Sequence, residues 1–379
     1  MSKIYPAVDP NGLTEFSVVF NDRSLNHMSS SFQTVMKDIS STLKRCYNAF
    51  ETIVVPGGGT VGMEAIARQF ADDKRCLVLR NGWFSYRWSQ IFDSGDIPSE
   101  HKALLARPIL PGKDSPFAPA SLDEAIKEIR TFKPQLVFAA HVETAAGIML
   151  PDDYMKAIAQ AVHQEGGLFV LDCIASGAMW VDMEKIGVDV LLSAPQKSWS
   201  ASPCAALILL SQNAAKQMKE RQSSSFALDL NKWRQIMKAY EDGGHAYHAT
   251  MPTDALAQFH AAMQEIEGLG FAELQQKQLE LGSKARRALS ERGFRSVAAE
   301  GFEAPTVIVS YTHDESIQKG LAFTKIGVQT AAGVPLACKE PADFASFRIG
   351  LFGLDKLVNV DATVRMLEEA LDKVKANAG

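Results

Sequence analysis

Short apolar runs alternate with amphipathic stretches through the first two thirds of the chain. The runs fall at residues 53–55, 76–79, 136–142, 168–173, 190–193 and 205–210. Each is nearly continuous and too short for a buried helix, which is the pattern of a strand covered on both faces. Amphipathic stretches lie between them at 63–71, 122–132 and 153–165. In the second, Leu122, Ile126 and Ile129 recur at i, i+4 and i+7, while Asp123, Glu124, Lys127 and Glu128 take the other face. Strands alternating with helices predict an α/β fold with a doubly wound, mostly parallel sheet.

The pattern changes after residue 255. A helical stretch at 256–292 carries Gly268 and Gly270 as its expected break. Apolar runs follow at 306–311 and 347–351, and a last helix is expected at 355–375. Its apolar positions Val360, Val364, Leu367 and Leu371 fit a 3.6 period. The expected division is an N-terminal arm at 1–20, a large domain at 21–255 and a smaller α+β domain at 256–379. No internal repeat or low-complexity linker interrupts the chain.

A length of 379 residues suits two domains or three. With 46% hydrophobic and 22% charged residues, the chain can bury a sizeable core, which excludes disorder as its main theme. Basic residues number 39 against 44 acidic, so no strong field draws the chain to nucleic acid. No apolar run reaches the roughly 18 residues of a spanning helix, and neither terminus shows a signal or lipid motif. Cys46, Cys76, Cys173, Cys204 and Cys338 are scattered and lack a CxxC pair. They read as reduced thiols of a cytoplasmic protein. His245 and His248 form the one close histidine pair, without HExxH, so no metal site is expected.

Three segments could carry chemistry. Pro56-Gly57-Gly58-Gly59-Thr60-Val61-Gly62 follows an expected strand and opens a helix. Glycines let backbone N–H groups approach an anion, and Thr60 adds a hydroxyl. It matches neither the dinucleotide fingerprint nor a Walker loop, so it reads equally as a phosphate cradle or a tight turn. The run at 168–172 ends in Asp172, and the run at 190–193 leads through Gln196 to Lys197. In open α/β sheets, strand carboxyl ends face the ligand crevice. Alone, Asp172 reads as a cap or surface pair and Lys197 as a solvated lysine. Together with the glycine loop they are the parts that pyridoxal phosphate requires: a phosphate cradle, a pyridinium partner and a Schiff-base lysine. The stretch Asn81-Gly82-Trp83-Phe84-Ser85-Tyr86-Arg87-Trp88 supplies aromatic cover.

At this point the chain resembles the class V aminotransferases of the fold-type-I pyridoxal-phosphate enzymes, over roughly residues 50–355. The likeness is greatest to the alanine–glyoxylate and serine–pyruvate group. The resemblance implies that Gly58, Gly59 and Thr60 hold the cofactor phosphate and that Phe84 stacks on the pyridine ring. Phe84 lies in a stretch like the family's N-G-x-[FW]-G-x-R, with Ser85 in place of the usual glycine and Trp83 as a second stacking candidate. It implies Thr144 near the phenolic oxygen, Asp172 on the ring nitrogen, Ile174 on the opposite ring face and Gln196 on the phosphate. Lys197 corresponds to the Schiff-base lysine. Tyr247 and Thr250 look like the pair that reaches the neighbouring subunit's phosphate, which implies a homodimer with shared sites. Arg348 resembles the arginine that clamps the substrate α-carboxylate. Where the family has His-Arg, this chain has His27-Met28.

The implied activity is ping-pong transfer of an amino group from a small amino acid to a 2-oxo acid through Lys197. The same scaffold serves lyases, cysteine desulfurases and aminophosphonate aminotransferases. A desulfurase would need a reactive thiol, for which Cys338 beside Lys339 is the candidate. A non-catalytic sensor would need an added binding domain, for which the chain has no spare segment. His141 and Glu143 stand near the site as additional candidates, while Trp180, Trp199 and Trp233 read as packing. Lys216, Lys219, Glu220 and Arg221 read as one solvated helical face.

Overall fold

The structure, a computed structural model, describes residues 8–378. Residues 1–7 of the expected arm lie outside the described residues, and residues 8–29 run without helix or strand. The first helix, α1 (Ser30–Tyr47), starts where the Ser29 side chain accepts from the Phe32 N–H. It ends at Asn48, which adopts the left-handed conformation that asparagine tolerates.

Seven strands form the main sheet: β1 (Glu51–Pro56), β2 (Arg75–Arg80), β3 (Glu100–Leu105), β4 (Leu136–Ala140), β5 (Leu168–Asp172), β6 (Val190–Ser193) and β7 (Ala205–Leu210). Their spatial order is β1-β7-β6-β5-β4-β2-β3. β7 runs antiparallel to both its neighbours, and every other pairing is parallel. β4, β5, β6 and β7 are buried along their whole length, which is why they read as unbroken apolar runs. The edge strand β3 carries exposed Glu100 and Lys102 and gives no such signal.

Register brings the strand ends level. Asp172 at the end of β5 faces Ala140 at the end of β4 and Leu192 near the end of β6. The glycine loop after β1, the aromatic segment after β2, the His141–Thr144 corner after β4 and Lys197 after β6 therefore share one sheet edge.

Helices cover both faces. α2 (Gly59–Ile66) continues into a π-helical turn at Ala67–Ala71 where the sequence suggests a plain helix over 63–71. The expected helix at 256–292 is two, Thr253–Leu269 and Phe271–Glu291, and the break falls at Gly270 (φ +90°), with Gly268 still helical. A second antiparallel sheet holds Val307–Tyr311, Ser346–Gly350 and Ala331–Ala332 in that spatial order. The helices Phe271–Glu291 and Val360–Ala378 pack against each other beside it. Trp199 and Trp233 are fully buried packing residues, and Trp180 packs beside Trp199. Arg221 departs from the expected solvated face: it turns inward and donates to the Phe70 carbonyl. Among the described residues, no helix is long and apolar enough to cross a membrane.

Two glycines separate the demands of packing from those of helix propensity. A Cβ on Gly62 would stand 2.5 Å from Ala206 Cβ and 2.6 Å from Leu192 Cδ1, so only glycine lets α2 lie this close to the sheet. A Cβ on Gly268 would meet nothing within 4 Å. Gly62→Ala should destabilise by about 1–3 kcal/mol through overpacking, while Gly268→Ala should stabilise by up to about 1 kcal/mol. Urea unfolding of both variants checks the opposite signs.

Candidate active site

Phe84 is the centre of the site. It sits in the first turn of α3 (Trp83–Gly95), the helix after β2. Three cations surround its ring: Lys197 Nζ at 5.8 Å from the centroid, Arg348 Cζ at 5.6 Å and Arg87 Cζ at 5.3 Å. The Phe352 ring centroid lies 5.6 Å from the same Nζ. Trp83 instead packs edge-on against Tyr86.

The start of α3 is held by a carboxylate from another strand end. Glu143, fully buried, accepts from the N–H groups of Phe84 (3.2 Å), Ser85 (2.8 Å) and Ala145 (3.0 Å). The Ser85 hydroxyl donates to it at 2.7 Å while accepting from the N–H of Asn81 and Gly82. Ser85, the departure from the family's glycine, thus links the end of β2 to Glu143. A carboxylate at a helix N-terminus satisfies free N–H groups and meets the positive end of the helix dipole. A Cβ on Gly82 would lie 2.7 Å from the Glu143 carboxyl carbon, so glycine permits the approach.

Asp172 is buried and accepts from the Ile174 N–H at 2.9 Å. Burial pushes its carboxyl up to about 6, against the opposing effects of that N–H, Lys197 and Arg87. Lys197, in the short helix Pro195–Ser198, is shifted the other way: burial lowers its amine, with Arg348 and Arg87 reinforcing and Asp172 and Glu143 opposing. Arg348 is anchored by one bond, Nε to the Ala332 carbonyl at 2.8 Å. Among the described residues neither Arg348 nor Arg87 has a carboxylate ion pair, which leaves both nitrogens of the Arg348 fork free for an anion.

The glycine loop lies against the same edge. Gly58 caps α2 with open space where a Cβ would stand, and Gly59 touches Ile174, whose Cδ1 would be 2.3 Å from a Cβ. Thr60 accepts from Arg87 at 2.9 Å. Thr144 is buried in the β4 corner, and the Gln196 side-chain oxygen is buried without a partner among the described residues. His141 resolves as a core histidine: its Nδ1 is 2.8 Å from Ser176 Oγ, and burial lowers it to about 4.

Tyr247 and Thr250 stand apart. Their hydroxyls are 3.0 Å from each other, both residues are exposed, and the Tyr247 ring packs 5.7 Å from His27. His27 packs with Phe20 and His245, not with Lys197. The residue that sequence reading left without a role is Arg87. Its signal was the closing arginine of the N-G-x-[FW]-G-x-R stretch, three residues after Phe84 and on the same helical face.

These residues fit pyridoxal phosphate. The raised Asp172 carboxyl suits a cationic ring nitrogen, Phe84 offers a ring face, and the surplus of positive charge suits two anionic groups. Because the folded-state pKa of Asp172 lies above its usual 3.8, the apoprotein loses stability as pH rises from about 4 to 6 and recovers none above that. Asp172→Asn should therefore stabilise the apoprotein at pH 8 by on the order of 2–3 kcal/mol. The gain should shrink towards pH 4. Urea unfolding at several pH values checks this, and a variant less stable than the wild type at pH 8 would overturn it.

Comparison with known proteins agrees with the geometry. Over 264 residues the chain is 29% identical to alanine–glyoxylate aminotransferase 1 of Saccharomyces cerevisiae, a match covering 65% of this chain and 66% of that enzyme. It is 24% identical to a Synechococcus protein named soluble hydrogenase small subunit, over 92% of this chain and 87% of the other. The crystal structure of alanine–glyoxylate aminotransferase from Nostoc superposes with a TM-score of 0.76 at 21% identity, covering 92% and 89% of the two chains. That likeness shows the shared fold. The family model for aminotransferase class-V matches residues 15–345, and the chain belongs to that family of pyridoxal-phosphate-dependent aminotransferases.

Proposed function

We propose that the enzyme moves the amino group of a small amino acid to a 2-oxo acid of the glyoxylate or pyruvate type, in two half-reactions. The observation that carries this reading is the placement of Lys197 and Arg348 around one aromatic ring, 5.8 and 5.6 Å from its centroid. An amine that can move a proton and an unpaired guanidinium that can hold a carboxylate then act on the same small molecule. The alanine–glyoxylate names of the yeast and Nostoc proteins support the substrate class.

Bound pyridoxal phosphate supplies an aldehyde for the amino group and a ring that withdraws electrons from the α-carbon. Arg348 binds the α-carboxylate through its free nitrogens and orients the α-C–H bond. Lys197 Nζ takes the α-proton and returns it, as base and then acid. Its lowered pKa favours the free amine that this needs. Asp172 holds a proton at the ring nitrogen. Gly58, Gly59, Thr60 and Gln196 would hold the phosphate, Thr144 would serve the phenolic oxygen, and Phe84 and Ile174 would pack on the ring.

Tyr247 and Thr250 serve the partner's phosphate in a homodimer under this reading. Support comes from their exposure and from the neighbouring N-terminal stretch. There Leu13, Phe16 and Val18 are 94%, 85% and 100% exposed, apolar surface that a second copy would cover. The desulfurase alternative loses its candidate nucleophile. Cys338 is buried, donates to the Arg80 carbonyl at 3.4 Å, and burial pushes its thiol up to about 12.

Lys197→Ala should cut turnover by at least roughly 10²- to 10⁴-fold. Arg348→Ala should raise KM for carboxylate substrates by about 10- to 100-fold, with a smaller change in kcat. Parallel lines in double-reciprocal plots, and oxo-acid release from alanine or serine without acceptor, should accompany the wild type. Sulfide released from cysteine, or preference for an aminophosphonate donor, would replace the proposed substrate class.

A further inference from the structure

Arg87 is a full positive charge that the site has not yet used. It lies on α3, one turn beyond Phe84, and reaches across to the first turn of α2. Its Nη1 donates to Thr60 Oγ1 at 2.9 Å, and its Cζ stands 5.3 Å from the Phe84 centroid. Among the described residues no carboxylate pairs with it. Its charge is nevertheless felt by both Asp172 and Lys197. An arginine in a partly buried site with no counter-ion is placed for an anion that binds there.

The glycine loop leaves a charge deficit that Arg87 can fill. A phosphate ester carries about −1.5 to −2 charges near neutral pH. The loop answers with N–H dipoles, a helix end worth roughly half a charge, and the Thr60 hydroxyl. None of the residues assigned to the phosphate, Gly58, Gly59, Thr60, Gln196 or the partner's pair, is a cation. Arg348 is assigned to the substrate carboxylate, and its Nε is tied to Ala332 in the second sheet. Arg87 is already bonded to the loop threonine, and its remaining N–H donors have no partner among the described residues.

We propose that Arg87 is a cofactor-binding residue that takes the 5′-phosphate of pyridoxal phosphate alongside Thr60. Phe84 then separates two anion sites. Arg87 holds the phosphate and Arg348 the substrate carboxylate, with Lys197 between them over the same ring. The inference rests on the family's cofactor and gives a role to a motif arginine to which the resemblance assigned none. Two other roles would use the same geometry differently. A guanidinium that only braces Phe84 by cation–π contact would affect ring binding whatever its substituents. One that reads an acidic substrate side chain would act on dicarboxylic donors.

The test compares apoprotein of wild type, Arg87→Gln and Arg87→Lys. Each is titrated with pyridoxal phosphate, with pyridoxal, and with inorganic phosphate, and followed by tryptophan fluorescence and thermal melting. Arg87→Gln should weaken pyridoxal phosphate by about 10- to 100-fold, the scale of hydrogen bonds to a charged group. Pyridoxal, which lacks the phosphate, should bind within about twofold of wild type. Inorganic phosphate should raise the melting temperature of the wild type and not of the variant. Arg87→Lys keeps the charge without the planar fork and should fall between, so it carries the comparison if the glutamine variant does not fold. Equal weakening of both vitamers would show a Phe84 brace and overturn the proposal. So would unchanged phosphate-form binding with KM raised only for dicarboxylic donors. Loss of overall activity with all three titrations unchanged would overturn the cofactor-phosphate role while leaving the aminotransferase reading intact.

Discussion

Asp172 ends a fully buried strand inside a crevice, with one backbone N–H as its hydrogen-bond donor and no ion pair among the described residues. That desolvation is the constraint around which the site is arranged. It costs the free protein stability above about pH 6 and makes the crevice receptive to a cationic ring nitrogen. A carboxylate kept in water would neither resist folding nor discriminate for such a partner. The parallel register of β4, β5 and β6 is what puts the carboxyl at this depth.

Glu143 solves a different problem. Phe84 sits at a helix start, where N–H groups lack intrahelical partners. The carboxylate from the β4 corner takes up two of those groups and, through Ser85, ties in Asn81 and Gly82 as well. A buried charge is tolerable because it is fully hydrogen-bonded and lies at the positive end of a dipole. Two strand ends, β2 and β4, are thereby fixed to each other at the point where the aromatic ring stands. The missing Cβ of Gly82 is part of the same device, since the carboxyl carbon occupies the space a Cβ would need.

The parallel sheet, Asp172 at a strand end and Lys197 one turn beyond another were legible because fully buried strands leave continuous apolar runs. Strand ends are also where α/β sheets keep their chemistry. β3 and α1 were not. One is a half-exposed edge, and the other hides its apolar stripe in a segment the strand pattern does not reach. The roles proposed for Phe84 and Arg348 came through the family resemblance, not from periodicity. Glu143 and Arg87 became interpretable only in three dimensions, because their partners lie 58 residues away at Ser85 and 27 residues away at Thr60. Ser85 looked like a departure from a motif and is a hydrogen-bond relay. Hydrophobic patterning reports burial and carries no record of which polar groups burial brings together.

The surplus of cations links binding to the readiness of the base. Lys197 Nζ is 5.8 Å from the ring centroid of Phe84 and 5.6 Å from that of Phe352, and it shares its surroundings with Arg348 and Arg87. Burial and the two guanidinium charges both disfavour a protonated amine, while Asp172 and Glu143 oppose them, and the net direction is downward. The field that would attract a phosphate and a carboxylate is thus the field that frees the amine to take a proton. Under the proposed roles, two bound anions would offset the guanidinium charges, so a protonated amine would be better tolerated than in the empty site. The thiol of Cys338 shows the contrast. It stands beside Arg80 but behind a carbonyl and near Glu143, and burial holds its proton on. Cations alone therefore do not make a reactive group here. What separates Lys197 from Cys338 is that removing the proton relieves a buried charge on the amine and would create one on the thiol.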